Sequence, residues 1–198
     1  MTCALIAIKA RAQCKTRLAE VLIPAARLQL VRSMLDAVLA AAHGAQTLRQ
    51  ILVVSPERDC VPAGIPVLAD AGGGLNGALS AAQLALHEFG CQDLVVLPAD
   101  LPDVTAADID ELVRAGRRGG FAIAPDAAGV GTNALYLNSP RPFRFRFGPD
   151  SARLHLEQAH AMGLRPQLVQ LAGLEFDVDG PDDLHRLEEP AWRTRLQA

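Results

Sequence analysis

The sequence predicts an α/β fold in which a mainly parallel sheet lies between layers of helices. Short apolar runs alternate with helical apolar spacing along nearly the whole chain, half of the 198 residues are hydrophobic, and aromatic residues are few. Strands that alternate with amphipathic helices favour a parallel sheet, because each crossover helix covers one face of it. The length suits one full core, so we expect a single domain over residues 1–198.

The first half of the chain has four strand patterns and two helix patterns. Strands are predicted at residues 4–8, 51–55, 66–69 and 94–97. Helices are predicted over 24–42 and 76–89, the first ending at a C-cap made by His43 and Gly44. Glycines 72–74 separate the third strand from the second helix.

The second half continues the alternation. Thr105 and Asp108 predict a capping box that opens a helix to about Ala115. Strands are predicted at 121–124, 134–137 and 167–171, and helices over 150–162 and 181–187. The tail from Glu188 is predicted to pack at the periphery.

Composition excludes several classes of protein. A net charge of −3 argues against charge-driven nucleic-acid binding, and no apolar run approaches the roughly 20 residues that span a bilayer. The short apolar run before Lys9 lacks the order of regions that is typical of a signal peptide. The four scattered cysteines show no metal-ligand spacing and are typical of reduced thiols. Together with the charge and the absence of a spanning run, they lead us to expect a cytoplasmic protein without nucleic-acid or membrane partners.

The apolar run 94–97 ends on a lone carboxylate, Asp100, between Pro98 and Pro102. The two prolines remove backbone donors and stop the strand, which puts Asp100 at its carboxyl end. Open α/β sheets bind ligands at that edge, and a carboxylate there suits Mg²⁺ on a nucleotide phosphate. The alternative is a loop aspartate that caps the next turn.

Two further segments suit a nucleotide. Lys9, Arg11, Lys15 and Arg17 follow the first strand and suit a triphosphate, although the loop has no P-loop glycine pattern; a solvated basic loop is the alternative. Asn76 follows a glycine run and offers both a donor and an acceptor to a base edge. Asn76 is also a candidate N-cap of its helix, a role compatible with base recognition.

Two later loops suit an anion. Thr132, after Gly129 and Gly131, is a candidate donor to a phosphate or carboxylate, unless the loop is only a hairpin-like turn. Ser151 and Arg153 lie at a predicted helix start, where free N–H groups attract anions, although an ordinary cap would have the same sequence.

The segment before that helix alternates arginine with phenylalanine, and an acidic segment lies near the end of the chain. An extended strand or lid with phenylalanines inward and arginines outward is favoured over stacking on single-stranded nucleic acid for Arg141, Phe143, Arg144, Phe145, Arg146 and Phe147. Asp177 and Asp179 share one side of an extended segment, and either is a candidate to join Asp100 around a metal. Asp182 and Asp183 are expected to favour a helix N-terminus.

The order of these segments is more specific than any one of them. It resembles the CofC family, guanylyltransferases that act on small phosphorylated acids in biosynthesis of the deazaflavin coenzyme F-420. The similarity runs from Ile6 to about Leu187, through KTRLA (15–19), LNGAL (75–79), LPADLP (97–102), GTNAL (131–135), FGPDS (147–151) and DVD (177–179). The GTN and FGP segments are the specific ones, whereas the aspartate strand and the basic loop are shared more widely with MobA-like nucleotidyltransferases.

The resemblance implies a glycosyltransferase-A-like, Rossmann-related fold with a mixed seven-stranded sheet. It implies that Asp100, Asp177 and Asp179 hold Mg²⁺, and that the acceptor's anionic groups contact Thr132, Gly148 and Ser151. We expect nucleotide contacts from Lys9, Asn76, Gly77, Pro98 and Asp100, and catalysis by Lys15, Arg17 and Asp100. Cys14 is a local departure within the phosphate loop, and we interpret it as a passive small residue.

The expected activity is transfer of GMP from GTP to 2-phospho-L-lactate, phosphoenolpyruvate or 3-phospho-D-glycerate, with release of pyrophosphate. One alternative is another MobA-like transferase with a molybdopterin or sugar-phosphate acceptor. A second alternative, of a different class, is a non-catalytic nucleotide-binding module. The alanine-rich composition is compatible with a homodimer.

Overall fold

Seven strands form one mixed sheet in the computed structural model, which describes residues 1–10, 14–69, 73–138 and 142–187. The strands are β1 (Thr2–Ala7), β2 (Gln50–Ser55), β3 (Val67–Ala69), β4 (Asp93–Pro98), β5 (Phe121–Pro125), β6 (Thr132–Asn138) and β7 (Gln167–Leu168). Their order is β3-β2-β1-β4-β6-β5-β7, and β6 is antiparallel to both of its neighbours. The predicted mixed, mainly parallel seven-stranded sheet is therefore confirmed. Arg11, Gly72, Arg141 and the tail from Glu188 lie outside the described residues.

Six helices accompany the sheet within the described ranges. They are α1 (Pro24–Gly44), α2 (Gly74–Glu88), α3 (Ala106–Gly119), α4 (Ser151–Ala161), α5 (Ala172–Glu175) and α6 (Leu184–Leu187). The same ranges contain three short 3-10 turns, at Thr16–Leu18, Arg58–Cys60 and Pro181–Asp183. The helices cover both faces of the sheet, with α1 and α3 in one buried cluster and α2 and α4 in the other.

Helix ends follow local chemistry, and two of the predicted caps are wrong. The capping box of Thr105 and Asp108 is present, with Thr105 N donating to Asp108 Oδ2 and Asp108 N to Thr105 Oγ1. The N-cap of α2 is Gly73, at φ 99°, so Asn76 lies inside the first turn instead of capping it. The predicted glycine C-cap of α1 is also wrong, because the helix continues to Gly44 and becomes extended only at Ala45.

Three other segments differ from their predicted form. The strand at 167–171 has only two residues, because the chain turns into α5 soon afterwards. Residues 142–147 form no strand, yet their predicted orientation is confirmed, since Phe143 and Phe145 are buried while Arg144 and Arg146 are exposed. The helix over 181–187 divides into a 3-10 turn and α6. Among the described helices, none has the length and apolarity needed to cross a membrane.

The sheet brings the ends of β1 and β4 together. The two strands are parallel and in register, with Ile6 opposite Leu97 and Ala7 opposite Pro98. The N–H of Ala99 extends the pairing by donating to the carbonyl of Ala7 at 3.1 Å. Because parallel strands end at the same edge, the basic loop after β1 lies beside the carboxylate after β4.

Candidate functional site

Three carboxylates meet at the carboxyl edge of the sheet. The backbone N–H of Val178 donates to the carbonyl of Asp100 at 3.3 Å, which places the acidic segment alongside the end of β4. One oxygen from each of Asp100, Asp177 and Asp179 lies within 4.8 Å of the others. The sequence left either Asp177 or Asp179 as the partner of Asp100, and the fold brings both to it.

A lysine ammonium lies among these carboxylates. Lys15 Nζ is 2.5 Å from Asp100 Oδ2 and 3.3 Å from Asp179 Oδ1, and its side chain is only 8% exposed. Burial lowers the pKa of Lys15, but the charges and hydrogen bonds of Asp100 and Asp179 raise it above its ordinary value. Arg17 is more distant, with its Nη1 3.7 Å from Asp179 Oδ2 and a largely exposed side chain. The cation needed to balance the carboxylates therefore comes chiefly from Lys15.

The surroundings of Asp177 disfavour its charged form. Burial and the neighbouring charges of Asp100 and Asp179 raise its pKa to about 6. Asn133 opposes this rise by donating from Nδ2 to Asp177 Oδ1 at 3.3 Å. A cluster of hard oxygen ligands with such mutual repulsion fits a divalent cation such as Mg²⁺ or Mn²⁺.

A β-bulge in β6 decides which face of the sheet Thr132 and Asn133 each occupy, because one extra residue shifts the strand's alternation. Ala124 pairs with Ala134, but Pro125 pairs with Thr132, so Asn133 is an extra residue on β6. Asn133 consequently contacts Asp177, whereas the Thr132 hydroxyl lies 3.0 Å from Nδ1 of His155. Sequence patterns did not indicate Asn133 and His155 as site residues, since strand alternation gives no sign of a bulge.

The hairpin between β5 and β6 packs on the start of α4. Ala152 N donates to the carbonyl of Val130 at 3.0 Å, and Ser151 N donates to the carbonyl of Gly148 at 3.2 Å. Ser151 is buried, and no hydrogen-bond partner of its hydroxyl is found among the described residues. These contacts bring Ser151 and Gly148 to the loop that precedes Thr132, as an anion site would require.

Arg153 is paired with carboxylates of its own helix and of that helix's N-cap. Its guanidinium forms ion pairs with Asp150 and Glu157, each at 2.5 Å, and their hydrogen bonds and charges raise its pKa. All three side chains are about half exposed. Arg153 would have to leave these carboxylates before it could contact an acceptor, so Ser151 is the better candidate.

Asn76 connects the first turn of α2 to the segment that precedes α4. Its Nδ2 donates to the carbonyl of Phe147 at 3.0 Å, and its Oδ1 accepts from Phe147 N at 2.7 Å. One amide hydrogen and one carbonyl lone pair remain for another partner. Base recognition by Asn76 stays a prediction, and the holding of Phe147 is a contact that the sequence did not indicate.

The other predicted nucleotide contacts lie around the same edge. Pro98 ends β4, and Gly77 lies in the first turn of α2. Lys9 is exposed, and its carbonyl accepts the thiol of Cys14 at 3.1 Å. Burial raises the pKa of Cys14, which fits its interpretation as a passive residue. A cavity beside this loop is lined by Ile8, Cys14, Pro24, Arg27, Leu28, Val31, Arg32, Asp59 and Cys60.

Known proteins of the same kind confirm the resemblance. The chain is 40% identical over 190 residues to the phosphoenolpyruvate guanylyltransferase of Rubrobacter xylanophilus, covering 93% of this chain and 92% of that protein. Seven further relatives, 35–39% identical, have the same name.

Solved structures share the fold at lower identity. A protein from Desulfovibrio desulfuricans G20 that is described as a nucleotide-diphospho-sugar transferase has a TM-score of 0.75 at 18% identity, over 97% of this chain and 90% of that one. A manganese complex of Rv0371C from Mycobacterium tuberculosis has a TM-score of 0.58 at 19% identity, over 95% and 97% of the two chains. A family model described as guanylyl transferase CofC like matches residues 2–188. With that match over almost its whole length, the chain belongs to the CofC-like guanylyltransferase family.

Proposed function

We propose that this chain transfers GMP from GTP to a small phosphorylated carboxylic acid, in the route to coenzyme F-420, with Mg²⁺ held by Asp100, Asp177 and Asp179. The observation that carries the proposal is the cluster of three carboxylates around Lys15 in a chain of this family. Phosphoenolpyruvate is the first acceptor to test, because it appears in the names of the relatives. 2-Phospho-L-lactate and 3-phospho-D-glycerate are the other two.

The chemistry is a single in-line displacement. An oxygen of the acceptor phosphate forms a bond to the α-phosphorus of GTP, and the bond between that phosphorus and the α–β bridging oxygen breaks to release pyrophosphate. A phosphate monoester is largely dianionic at neutral pH, because its second pKa is about 6. The nucleophile therefore needs no general base, and the protein must instead overcome repulsion between two anions.

Lys15 and Arg17 supply positive charge that reduces this repulsion next to the nucleotide. Both lie on the loop after β1, and Lys15 already stays charged although its side chain is largely buried. A divalent ion, when bound, would neutralise triphosphate charge and offset the mutual repulsion of the three carboxylates. Lys15 would then exchange carboxylate oxygens for the β- and γ-phosphates, with Arg17 as the more solvated second cation.

Thr132 and Ser151 hold the acceptor in this proposal. Each has a hydroxyl on the hairpin–helix junction, and the bulge in β6 turns Thr132 towards α4. Gly148, at φ 129°, has a backbone conformation that residues other than glycine rarely adopt. Its missing side chain also lets an anion approach the backbone before α4.

The test is an incubation of the purified protein with GTP, Mg²⁺ and each of the three acids separately. Mass spectrometry should detect one guanylylated acid together with an equal amount of pyrophosphate. Asp100→Asn is the matched control, since it keeps the side-chain volume and removes the charge. Binding of GTP without any product from the three acids would contradict the proposal and favour a different acceptor or a sensing role.

A further inference from the structure

A fully buried histidine lies beneath the proposed acceptor site. His155, on α4, is 0% exposed, and its ring lies 5.0 Å from the ring of Phe147 and 5.8 Å from that of Phe143, between centroids. Both ring nitrogens have polar partners. Nε2 accepts the backbone N–H of Arg146 at 2.9 Å, and Nδ1 lies 3.0 Å from Thr132 Oγ1.

These two contacts determine where the ring proton lies. The N–H of Arg146 can only donate, so Nε2 of His155 must carry no hydrogen. Burial, with a smaller effect from the charge of Arg146, lowers the pKa of His155 to about 4, which keeps the ring neutral at pH 7. A neutral imidazole without a hydrogen on Nε2 has one on Nδ1. The Nδ1–H therefore donates to the hydroxyl of Thr132.

The proton on Nδ1 in turn determines what Thr132 can do. Its oxygen accepts from His155, so its own hydrogen must point elsewhere. Within the described residues, His155 is the one hydrogen-bond partner found for that hydroxyl. Thr132 therefore presents a hydrogen-bond donor, which suits a phosphate or carboxylate oxygen and disfavours a donor group on the ligand.

We propose that His155 is a positioning residue that fixes the Thr132 hydroxyl as a donor to the anionic acceptor. This inference rests on the proposed function, because the acceptor is the anion that Thr132 would hold. His155 itself touches no substrate in this arrangement. It acts through the hydroxyl and holds the 142–147 segment at the same time through the N–H of Arg146.

The first experiment reads the tautomer directly and needs no activity. In protein labelled with ¹⁵N-histidine, long-range ¹H–¹⁵N spectra at pH 7 should show His155 with a protonated Nδ1 and a bare Nε2. Comparison with His155→Gln assigns the signals among the five histidines. A protonated Nε2, or a charged ring, would overturn the assignment whether or not the protein transfers GMP.

The second experiment measures the dissociation constant of phosphoenolpyruvate by calorimetry, with a GTP analogue whose α–β bridge is methylene so that no reaction occurs. His155→Gln keeps an acceptor for Arg146 N but lacks the Nδ1 donor, whereas His155→Asn keeps a donor near Thr132. We expect His155→Gln and Thr132→Val each to weaken phosphoenolpyruvate about 10-fold, with little effect on the nucleotide analogue. His155→Asn should restore most of the affinity.

A variant with both substitutions distinguishes a positioning role of His155 from a purely structural one. If His155 acts through the Thr132 hydroxyl, His155→Gln should have little further effect in a Thr132→Val background. Equal losses in both backgrounds, or equal weakening of phosphoenolpyruvate and the nucleotide analogue, would show a structural role and overturn the proposal. Failure of the wild-type protein to bind phosphoenolpyruvate or either of the other two acids would overturn the role as well, whereas binding without GMP transfer would overturn only the proposed reaction.

Discussion

Asp100 contacts the candidate site through both its side chain and its backbone. It forms the close ion pair with Lys15, belongs to the carboxylate cluster, and accepts Val178 N through its carbonyl. The side chain and the backbone of this residue thus have separate tasks. A substitution that changes only the carboxylate should leave the backbone link intact.

Asp100→Asn is therefore expected to lower turnover by at least about 100-fold while the protein stays folded, because fixed charge at a phosphoryl centre supplies several kcal/mol. Pyrophosphate release measures the rate, and circular dichroism checks the fold. Asp36→Asn, which changes an exposed carboxylate on α1, is the control. A near-normal rate for Asp100→Asn in Mg²⁺ would contradict the metal assignment.

Ser151→Ala should weaken the acceptor more than GTP. Ser151 is buried at the start of α4, and in the proposed site its hydroxyl donates to a charged group, so we expect its removal to raise the KM for the acid about 10-fold. Steady-state kinetics with each substrate varied in turn separates the two effects. Ser33→Ala on α1 controls for loss of a hydroxyl elsewhere; equal weakening of both substrates would argue against this division of labour.

Asp177 gives a pH-dependent prediction with a definite sign. A carboxyl whose pKa is raised on folding, here to about 6, binds its proton more tightly in the folded state. Its contribution to stability therefore falls as pH rises from about 4 through 6. In EDTA at pH 7.5, Asp177→Asn should be about 1 kcal/mol more stable than wild type, after allowance for solvent screening. Urea unfolding measures this difference, which should vanish at pH 4; a less stable variant at pH 7.5 would contradict it.

At the scale of elements, α3 packs closely on β6 through a glycine. A Cβ at Gly116 would lie 1.9 Å from Cδ1 of Tyr136, a fully buried ring. Exchange of a helical glycine for alanine ordinarily stabilises a helix by about 1 kcal/mol. The contact with Tyr136 reverses that sign here, because the ring has no free space to enter.

Gly116→Ala should accordingly lower the free energy of unfolding by about 2 kcal/mol or more. Chemical denaturation measures the loss. The same change in a Tyr136→Leu background should cost much less, because the ring that blocks the Cβ is gone. If Gly116→Ala proved neutral or stabilising, the close packing of α3 against β6 would be wrong.

At the scale of the whole molecule, the candidate metal site ties together segments from distant parts of the chain. Lys15 and Asp100 are 85 positions apart, and Lys15 and Asp179 are 164 apart. A ligand that binds this assembled cluster, and not the unfolded chain, must stabilise the entire fold by mass action. Metal binding therefore has a readout that does not depend on activity.

Mn²⁺ or Mg²⁺ at about 100 times its dissociation constant should raise the free energy of unfolding by about 2.7 kcal/mol. Thermal unfolding in the metal and in EDTA measures the shift. Asp100→Asn should abolish most of it, whereas Asp36→Asn should retain it. An equal shift in all three proteins would place the ion outside the carboxylate cluster.

Local patterns were sufficient for most of the elements. The apolar runs predicted all seven strands within a few residues, and Thr105 with Asp108 marked the start of α3. Two predictions failed because of a competing local effect. Gly73, at φ 99°, is the N-cap of α2 in place of the predicted Asn76, and the strand predicted at 167–171 is shorter because α5 begins at Ala172. Such patterns work because they depend on neighbours in the chain.

The sequence by itself determined the α/β class, the resemblance to the CofC family, and the residue types of the site. Tertiary structure alone decided that Asp177 and Asp179 both join Asp100, and that Lys15 lies among them. It also decided that a bulge turns Thr132 to His155, and that Asn76 holds the backbone of Phe147. The physical reason is that propensity and spacing act over one or two turns, whereas these contacts depend on strand order and register across the whole sheet.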